Sequence, residues 1–463
     1  MIFTLMIIIF IVGYTAIALE HSLKVDKAAT ALITGMLMWT VYVFGGVDIL
    51  SSGTSTAWNS FVATNPAENT QTGILHFITN HEIFHHLSDI ASILFFLIGA
   101  MTIVEIIDRH QGFKILTDRV QTRNKAKLLW ILCFLTFFLS ALLDNLTTTI
   151  VMIALIRKLI FDKTNRWVFA SMIIIAANSG GAWSPIGDVT TIMLWIEGHV
   201  TTSHLVTKLM IPSIFALIIP LLIITPKMRK ASIHRPISTD MEKIEFSNKE
   251  RLVILISGVC CLLFVPLFKT ITHLPPFVGM LLSLGVLWVI TDIVHKRRKD
   301  QKIMNQYAVS KIIRRVDTST ILFFFGILAA VAALQSAGHL AISSKWLDDT
   351  LGNVYLINIT IGVLSSIVDN VPLVAGAIGM YNMEPATAVG YAHNFIQDGI
   401  FWEFLAYCAG TGGSILIIGS AAGVAAMGME KIPFGWYLKN FSRLALTGYL
   451  GGAIVYYIGE LIK

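Results

Sequence analysis

Two short polar runs, each set inside an apolar stretch, hold the residues best suited to chemistry. The first is Ser140-Ala-Leu-Leu-Asp144-Asn145-Leu-Thr147-Thr148-Thr149 within the apolar segment 128–160. The second is Ser365-Ser366-Ile-Val-Asp369-Asn370-Val-Pro372 within 354–381. A carboxylate, an amide and hydroxyls buried in hydrocarbon cost several kcal/mol unless protein groups or a bound ion satisfy them, so each run is a candidate site. Two Asp-Asn pairs in opposite halves of one chain, each preceded by serine, read as one site duplicated. A glycine-broken run follows each pair. Ala177-Asn178-Ser179-Gly180-Gly181 leads through Ser184-Pro185 and Gly187 to Asp188-Val-Thr190-Thr191, and Ala409-Gly410-Thr411-Gly412-Gly413-Ser414 leads to Gly419-Ser420. Glycine and proline in mid-span break a helix, free its carbonyls and aim a half-helix N-terminus at the site.

The donor set is oxygen-rich: Asp144, Asp188 and Asp369, with Asn145, Asn178, Asn370 and the Ser and Thr hydroxyls. No Lys or Arg lies in either hairpin core or either glycine-broken run. Such a set suits a small hard cation, Na⁺ or Li⁺, with the three aspartates as its metal ligands. Burial favours the protonated carboxyl and a bound cation favours the ionised one, so Na⁺ and protons compete for the same group. Asp144 is the first choice for the exchanging carboxylate, with Asp188 and Asp369 as co-ligands or charge partners. The plainer alternatives are that Asp144 and Asp369 only tie their chain reversals by hydrogen bonds, that Asp188 caps a helix starting at Val189, and that the glycines only allow close helix packing. A phosphate loop is excluded, because the Lys and the preceding strand are missing.

The chain that must position these groups has 463 residues, 55% hydrophobic and 13% charged, with a mean hydropathy of +0.73. That excludes a soluble domain and points to an all-α polytopic membrane protein in a lipid bilayer. The net charge of +6 resides in short loops between apolar segments, which is an orientation signal and not a nucleic-acid surface. Cys133, Cys260, Cys261 and Cys408 lie in apolar stretches without metal-type spacing and are expected to be small core residues. The segment 2–19 lacks the charged leader of a secretory signal and is expected to be the first span.

Basic clusters near Lys24 and Lys27, at 109–127, 157–166, 227–251 and 296–315, are expected on the cytoplasmic side, and the polar loops 48–82 and 382–394 outside. Both flanks of 128–160 are then cytoplasmic and both flanks of 354–381 external. Each is therefore expected to be a re-entrant hairpin with its Asp-Asn pair at the tip, the two inserted from opposite faces. The expected fold is two inverted repeats, 1–225 and 252–463, each of five spans plus one hairpin, joined by a cytoplasmic linker 226–251. The discontinuous helices are 167–197 and 395–429, and the site lies between the repeats as in secondary transporters.

Other residues invite different readings. His81-Glu82-Ile-Phe-His85 matches the HExxH zinc pattern, which reads as a membrane-embedded protease, as solvated interfacial histidines, or as a pH sensor. His199 and Glu197 invite the last two. Trp39, Trp195, Trp436 and Tyr456 are expected in interfacial belts.

Together the Ser140–Thr149 run, the Asn178–Thr191 stretch and the Gly410–Gly423 stretch resemble the NhaD-type sodium/proton antiporters of the ion-transporter superfamily, which also holds arsenite permeases and citrate or dicarboxylate carriers. The resemblance covers essentially the whole chain. It implies Na⁺(Li⁺)/H⁺ exchange, no enzyme activity and no cofactor, a homodimer, and a place in the bacterial inner membrane or, in plants, the chloroplast envelope. It assigns the ion-site role to Asp144, Asn145, Asn178, Asp188, Thr190, Thr191, Ser365, Asp369 and Asn370, with Ser414 and Ser420 as further matches. The competing expectation is an anion or metalloid permease on the same scaffold.

Overall fold

The computed structural model describes residues 2–18, 20–51, 55–117, 122, 124–228, 246–296 and 307–462, which are helical with no strand among them. The linker positions 229–245 and the Lys-Arg-Arg-Lys run at 296–299, beyond its first residue, lie outside the described residues. Among the described residues, eight helices are long and apolar enough to cross a membrane. Large apolar side chains stand on the outside of the molecule, among them Phe44 at 79% exposed and Ile271 at 69%. Such a surface is stable only when lipid is the solvent.

The chain divides into two compact units. One contains 1–95, 317–357 and 371–384. Its framework is α1 (Ile2–Ala18), α2 (Lys27–Leu50), α3 (Thr56–Thr64), α4 (Gln71–Phe77) and the start of α5 (Ile83–Arg109). The other contains 96–316, 358–370 and 385–463. It includes α6 (Lys125–Leu143), α7 (Asn145–Leu159), α8 (Lys163–Gly181), α9 (Val189–Ile196), α10 (Thr202–Ile224), α11 (Asn248–Thr272) and α12 (Pro276–Lys296). Later in the chain, α13 (Thr318–Ser336) and α14 (His339–Leu351) belong to the first unit, while α15 (Val354–Leu364) and α16 (Asn370–Met380) each pass from one unit to the other. The chain ends in the second unit with α17 (Ile400–Gly412), α18 (Ala421–Glu430) and α19 (Arg443–Leu461).

Polar caps start the apolar helices. Asp26 caps α2, Asn124 α6, Asp162 α8, Thr201 α10 and Asp317 α13, each accepting an N–H of the first turn. Ser247 and Glu250 close a capping box on α11. In the first unit, small residues set the packing: a Cβ on Gly35 or Gly326 would strike the backbone of the facing helix, so α2 and α13 meet at close range. The Trp39 indole then donates to the Ala329 carbonyl at 2.9 Å across that seam.

Three expectations are corrected here. The stretch 48–82 is largely helical and not a polar loop: Ser55 and Thr70 cap α3 and α4, and Trp58, Phe61 and Phe77 cluster between them. Hydropathy misses such helices because their caps and polar faces dilute the apolar signal. Trp39, Trp195 and Tyr456 are buried and not interfacial. Cys260 is exposed while Cys133, Cys261 and Cys408 are buried, and all four are free thiols.

Candidate ion-binding site

Asp144 stands between α6 and α7 with φ 83° and ψ 159°, a backbone conformation natural to glycine and strained by roughly 1–3 kcal/mol for other residues. The strained residue separates the two helices and caps α7: its Oδ1 accepts the Thr147 N–H at 2.8 Å and its Oδ2 the Thr147 hydroxyl at 2.9 Å. Ser140 donates to the Ala177 carbonyl and Ser184 to the Ala141 carbonyl in the last turn of α6, both at 2.6 Å, so hydroxyls tie α6 and α8 together beside their breaks.

Asp188 is the hub. It is 1% exposed, lies in extended backbone at the break between α8 and α9, and accepts the Thr190 N–H at 3.1 Å as the cap of α9. Asn145 donates its amide to Asp188 Oδ2 at 2.7 Å and Asn370 donates to both carboxylate oxygens at 3.3 Å. Asn145 also donates to Asn178 Oδ1 at 3.1 Å, and Asn178 in turn donates to Ser414 Oγ and Ser420 Oγ, both at 2.9 Å. Ser420 caps α18 with nearly the backbone angles of Asp188, φ −147° against −148°. Six of the expected residues thus form one connected network: Asn145, Asn178, Asp188, Asn370, Ser414 and Ser420. Asp144 and Asp369, each one residue before its asparagine, lie close enough for a charge on either to act on Asp188.

The remaining expected residues serve the backbone. The Thr191 hydroxyl donates to Asp188 O at 2.8 Å, and Thr190 contributes its N–H. Ser365 Oγ donates to Gly362 O at 2.8 Å and to Ala409 O at 3.3 Å, as Ser140 does in the first half. The parallel continues in the glycines: a Cβ on Gly180 would strike Phe137 O and one on Gly412 would strike Gly362 O, while a Cβ on Gly187 would lie 2.9 Å from Ser140 O and one on Gly419 2.8 Å from Ser365 O. One local arrangement is therefore built twice, with aspartate at 188 where the second copy has serine at 420.

Four helices begin at this place: α7 after Asp144, α9 after Asp188, α16 after Asp369 and α18 after Ser420. Helix N-termini carry partial positive charge and attract anions. Three of the four already hold one of the chain's own carboxylates at the cap or directly before it, and the fourth holds a hydroxyl. The hydroxyls of Thr148 and Thr149, fully buried on the first turns of α7, have no hydrogen-bond partner among the described residues. A buried oxygen without a partner asks for an unseen ion or water. Their presence in the Thr147-Thr148-Thr149 run was visible, but only the helix start at Asn145 sets them on the first turns of α7.

The HExxH residues do not form a metal centre. A π-turn at Ile78–Glu82 rotates Glu82 inward, where it is 5% exposed and accepts the Tyr42 hydroxyl at 2.8 Å, while His81 and His85 are exposed. His86 pairs instead with Ser336 Oγ at 3.0 Å. His199 is packed on the Trp402 ring at 4.1 Å, and its burial pushes the imidazole down to about 4. It stays neutral through the physiological range. Sequence reasoning passed over Glu430, 2% exposed in its side chain, which closes the far end of α18 by pairing with Arg157 at 2.6 Å and Arg166 at 2.9 Å. Its partners come from α7 and α8, so no local pattern announces it.

A family profile described as "Citrate transporter" matches residues 5–395. The chain is similar to Sodium/proton antiporter 1 of Arabidopsis thaliana, 41% identical over 97% of this chain and 71% of that one. Sodium/proton antiporter 2 of the same plant is 40% identical over 97% and 98%. The Na(+)/H(+) antiporter NhaD of Vibrio cholerae is 29% identical over 97% and 90%. With identity on this scale over nearly its whole length, the chain belongs to the NhaD-type sodium/proton antiporters, within the wider family that the citrate-transporter profile describes.

Proposed function

We propose that this protein is a secondary transporter, not an enzyme, that exchanges cytoplasmic Na⁺ or Li⁺ for external H⁺ by competition at buried carboxylates with alternating access. The observation that carries the reading is the occupation of the helix N-termini. In a carrier of anions those positive ends are free to meet the substrate. Here Asp144, Asp188 and Asp369 take three of the four, with no Lys or Arg among them, so the cluster holds surplus negative charge and attracts a cation. Thr148 and Thr149 add neutral oxygens of the kind a small hard ion selects. The likeness to named sodium/proton antiporters supports the same reading.

Asp144, Asp188 and Asp369 are the proposed ligands of the transported ion. Asn145, Asn178, Asn370, Ser414 and Ser420 hold them in register, and Thr190, Thr191 and Ser365 fix the helix breaks. The twice-built local arrangement supports the proposal of two inverted repeats, 1–225 and 252–463, joined by the linker 226–251, each with a re-entrant hairpin. A homodimer in the bacterial inner membrane, or in the chloroplast envelope of a plant, is part of the proposal.

The test uses the purified chain in vesicles loaded with a pH dye. A sodium pulse should dequench the dye in the wild type and not in Asp144→Asn or Asp188→Asn. The citrate-transporter profile supplies the second reading, an anion or metalloid carrier. Citrate or arsenite flux with no response to sodium would establish that one and refute antiport.

A further inference from the structure

A second cluster, apart from the Asp188 network, brings together His204, Asp398 and Glu403, whose ligand atoms lie within 4.8 Å of one another. His204 is in the first turn of α10, Asp398 lies just ahead of α17 and Glu403 is in its first turn. His204 Nδ1 is 2.6 Å from Glu403 Oε1, and Glu403 is itself held by the Tyr456 hydroxyl at 2.9 Å. With Nδ1–H donated to Glu403, the imidazole can present Nε2 as a metal ligand. That nitrogen faces Asp398 Oδ2 across 4.0 Å. Asp398 is fixed in turn: the Thr201 N–H donates to its Oδ1 at 2.6 Å and the Thr201 hydroxyl to its Oδ2 at 2.9 Å, with its backbone held at φ 59°. An imidazole nitrogen and a carboxylate oxygen directed at each other are satisfied by a proton or a metal cation between them, and 4.0 Å is too long for a direct hydrogen bond. Lys208, the neighbouring cation on α10, pairs with Glu460, and no Lys or Arg pairs with Asp398 or Glu403 among the described residues.

We infer that the gap between His204 Nε2 and Asp398 Oδ2 binds a divalent cation of the Zn²⁺ class. Zinc takes imidazole nitrogen and carboxylate oxygen at about 2.0–2.2 Å each, which spans 4.0 Å nearly in line; closing the gap by about half an ångström gives a tetrahedral angle. Glu403 supplies the outer-shell partner that metal-bound histidines carry on their other nitrogen. His204 is 42% exposed and Asp398 15% in their side chains, so an ion can enter and water can complete the coordination. Bound there, the ion ties the start of α10 to the turn before α17.

The full-length protein in detergent is titrated with Zn²⁺ against a chromogenic chelator at fixed pH. The wild type should bind one ion with micromolar affinity and gain thermal stability on binding. His204→Ala should weaken binding at least about tenfold, and Glu403→Gln, which removes the orienting partner, by about 10- to 100-fold. His81→Ala should change nothing. Because Glu403 is buried and its variant could misfold, X-ray absorption on the wild type, showing one histidine nitrogen among oxygen ligands, gives an independent arm. No binding by the wild type, equal binding by His204→Ala, or loss of binding in His81→Ala would overturn the proposal.

Discussion

At the scale of single residues, Asp144 sets two requirements against each other. Its backbone at φ 83° suits glycine, while its carboxylate caps α7 and faces Asp188. Asp144→Gly relieves the strain, worth about 1–3 kcal/mol, and loses a cap worth about 1 kcal/mol. Asp144→Ala loses the cap and keeps the strain. Thermal melts should therefore rank the glycine variant above the alanine variant, with both silent in sodium-driven dequenching. An alanine variant as stable as glycine would mean that the backbone is not strained. An active glycine variant would remove Asp144 from the ion site. At Asp188 the amides of Asn145 and Asn370 both donate. Asp188→Asn turns one acceptor oxygen into a third donor, so it should cost about 1–3 kcal/mol in a melt as well as silencing exchange.

At the scale of elements, the helix breaks depend on backbone contacts that a side chain would prevent. A methyl on Gly412 would meet the Gly362 carbonyl, whereas one on Gly428, farther along the same broken span, meets nothing within 4 Å. Gly412→Ala should destabilise the protein by about 1–3 kcal/mol or more and abolish transport, and Gly428→Ala should behave as wild type in both assays, since overpacking against backbone has no soft way out. The far end of α18 depends on charge. Glu430→Gln leaves Arg157 and Arg166 without their carboxylate; because Arg157 is 46% exposed in its side chain, the expected loss is about 2 kcal/mol, below that of a fully buried pair. A melt of the variant at low and high salt checks it, since a half-exposed pair weakens as salt rises.

At the scale of the whole molecule, exchange by competition makes a signed prediction about pH. A proton on a site carboxylate excludes the cation, so lowering the pH on the face that loads Na⁺ should raise the apparent KM without changing the maximal rate. Once the site titrates, each unit of pH should raise KM about tenfold for each proton displaced by one ion. A maximal rate that falls while KM stays constant would instead indicate a separate regulatory proton site. The division into two units fits a body that carries every member of the Asp188 network and another that carries the Tyr42–Glu82 contact and none of them.

Much of this was legible in the residue order, because a membrane leaves the chain few options. Hydrocarbon forces apolar segments to be helices, and it makes Asp144, Asp188, Asp369 and their asparagines too costly to place at depth without a task. Glycine and proline mark where helices break for reasons local to one residue. What the order of residues could not decide was which polar groups meet. That Asn178 reaches Ser414 and Ser420, that both asparagines turn to Asp188 and not to Asp144, that Glu82 swings inward on a π-turn and that His204 faces Asp398 all depend on contacts between residues distant in the chain. Those contacts are set by how closely glycine-lined helices approach, a property of the packed structure and of no single segment.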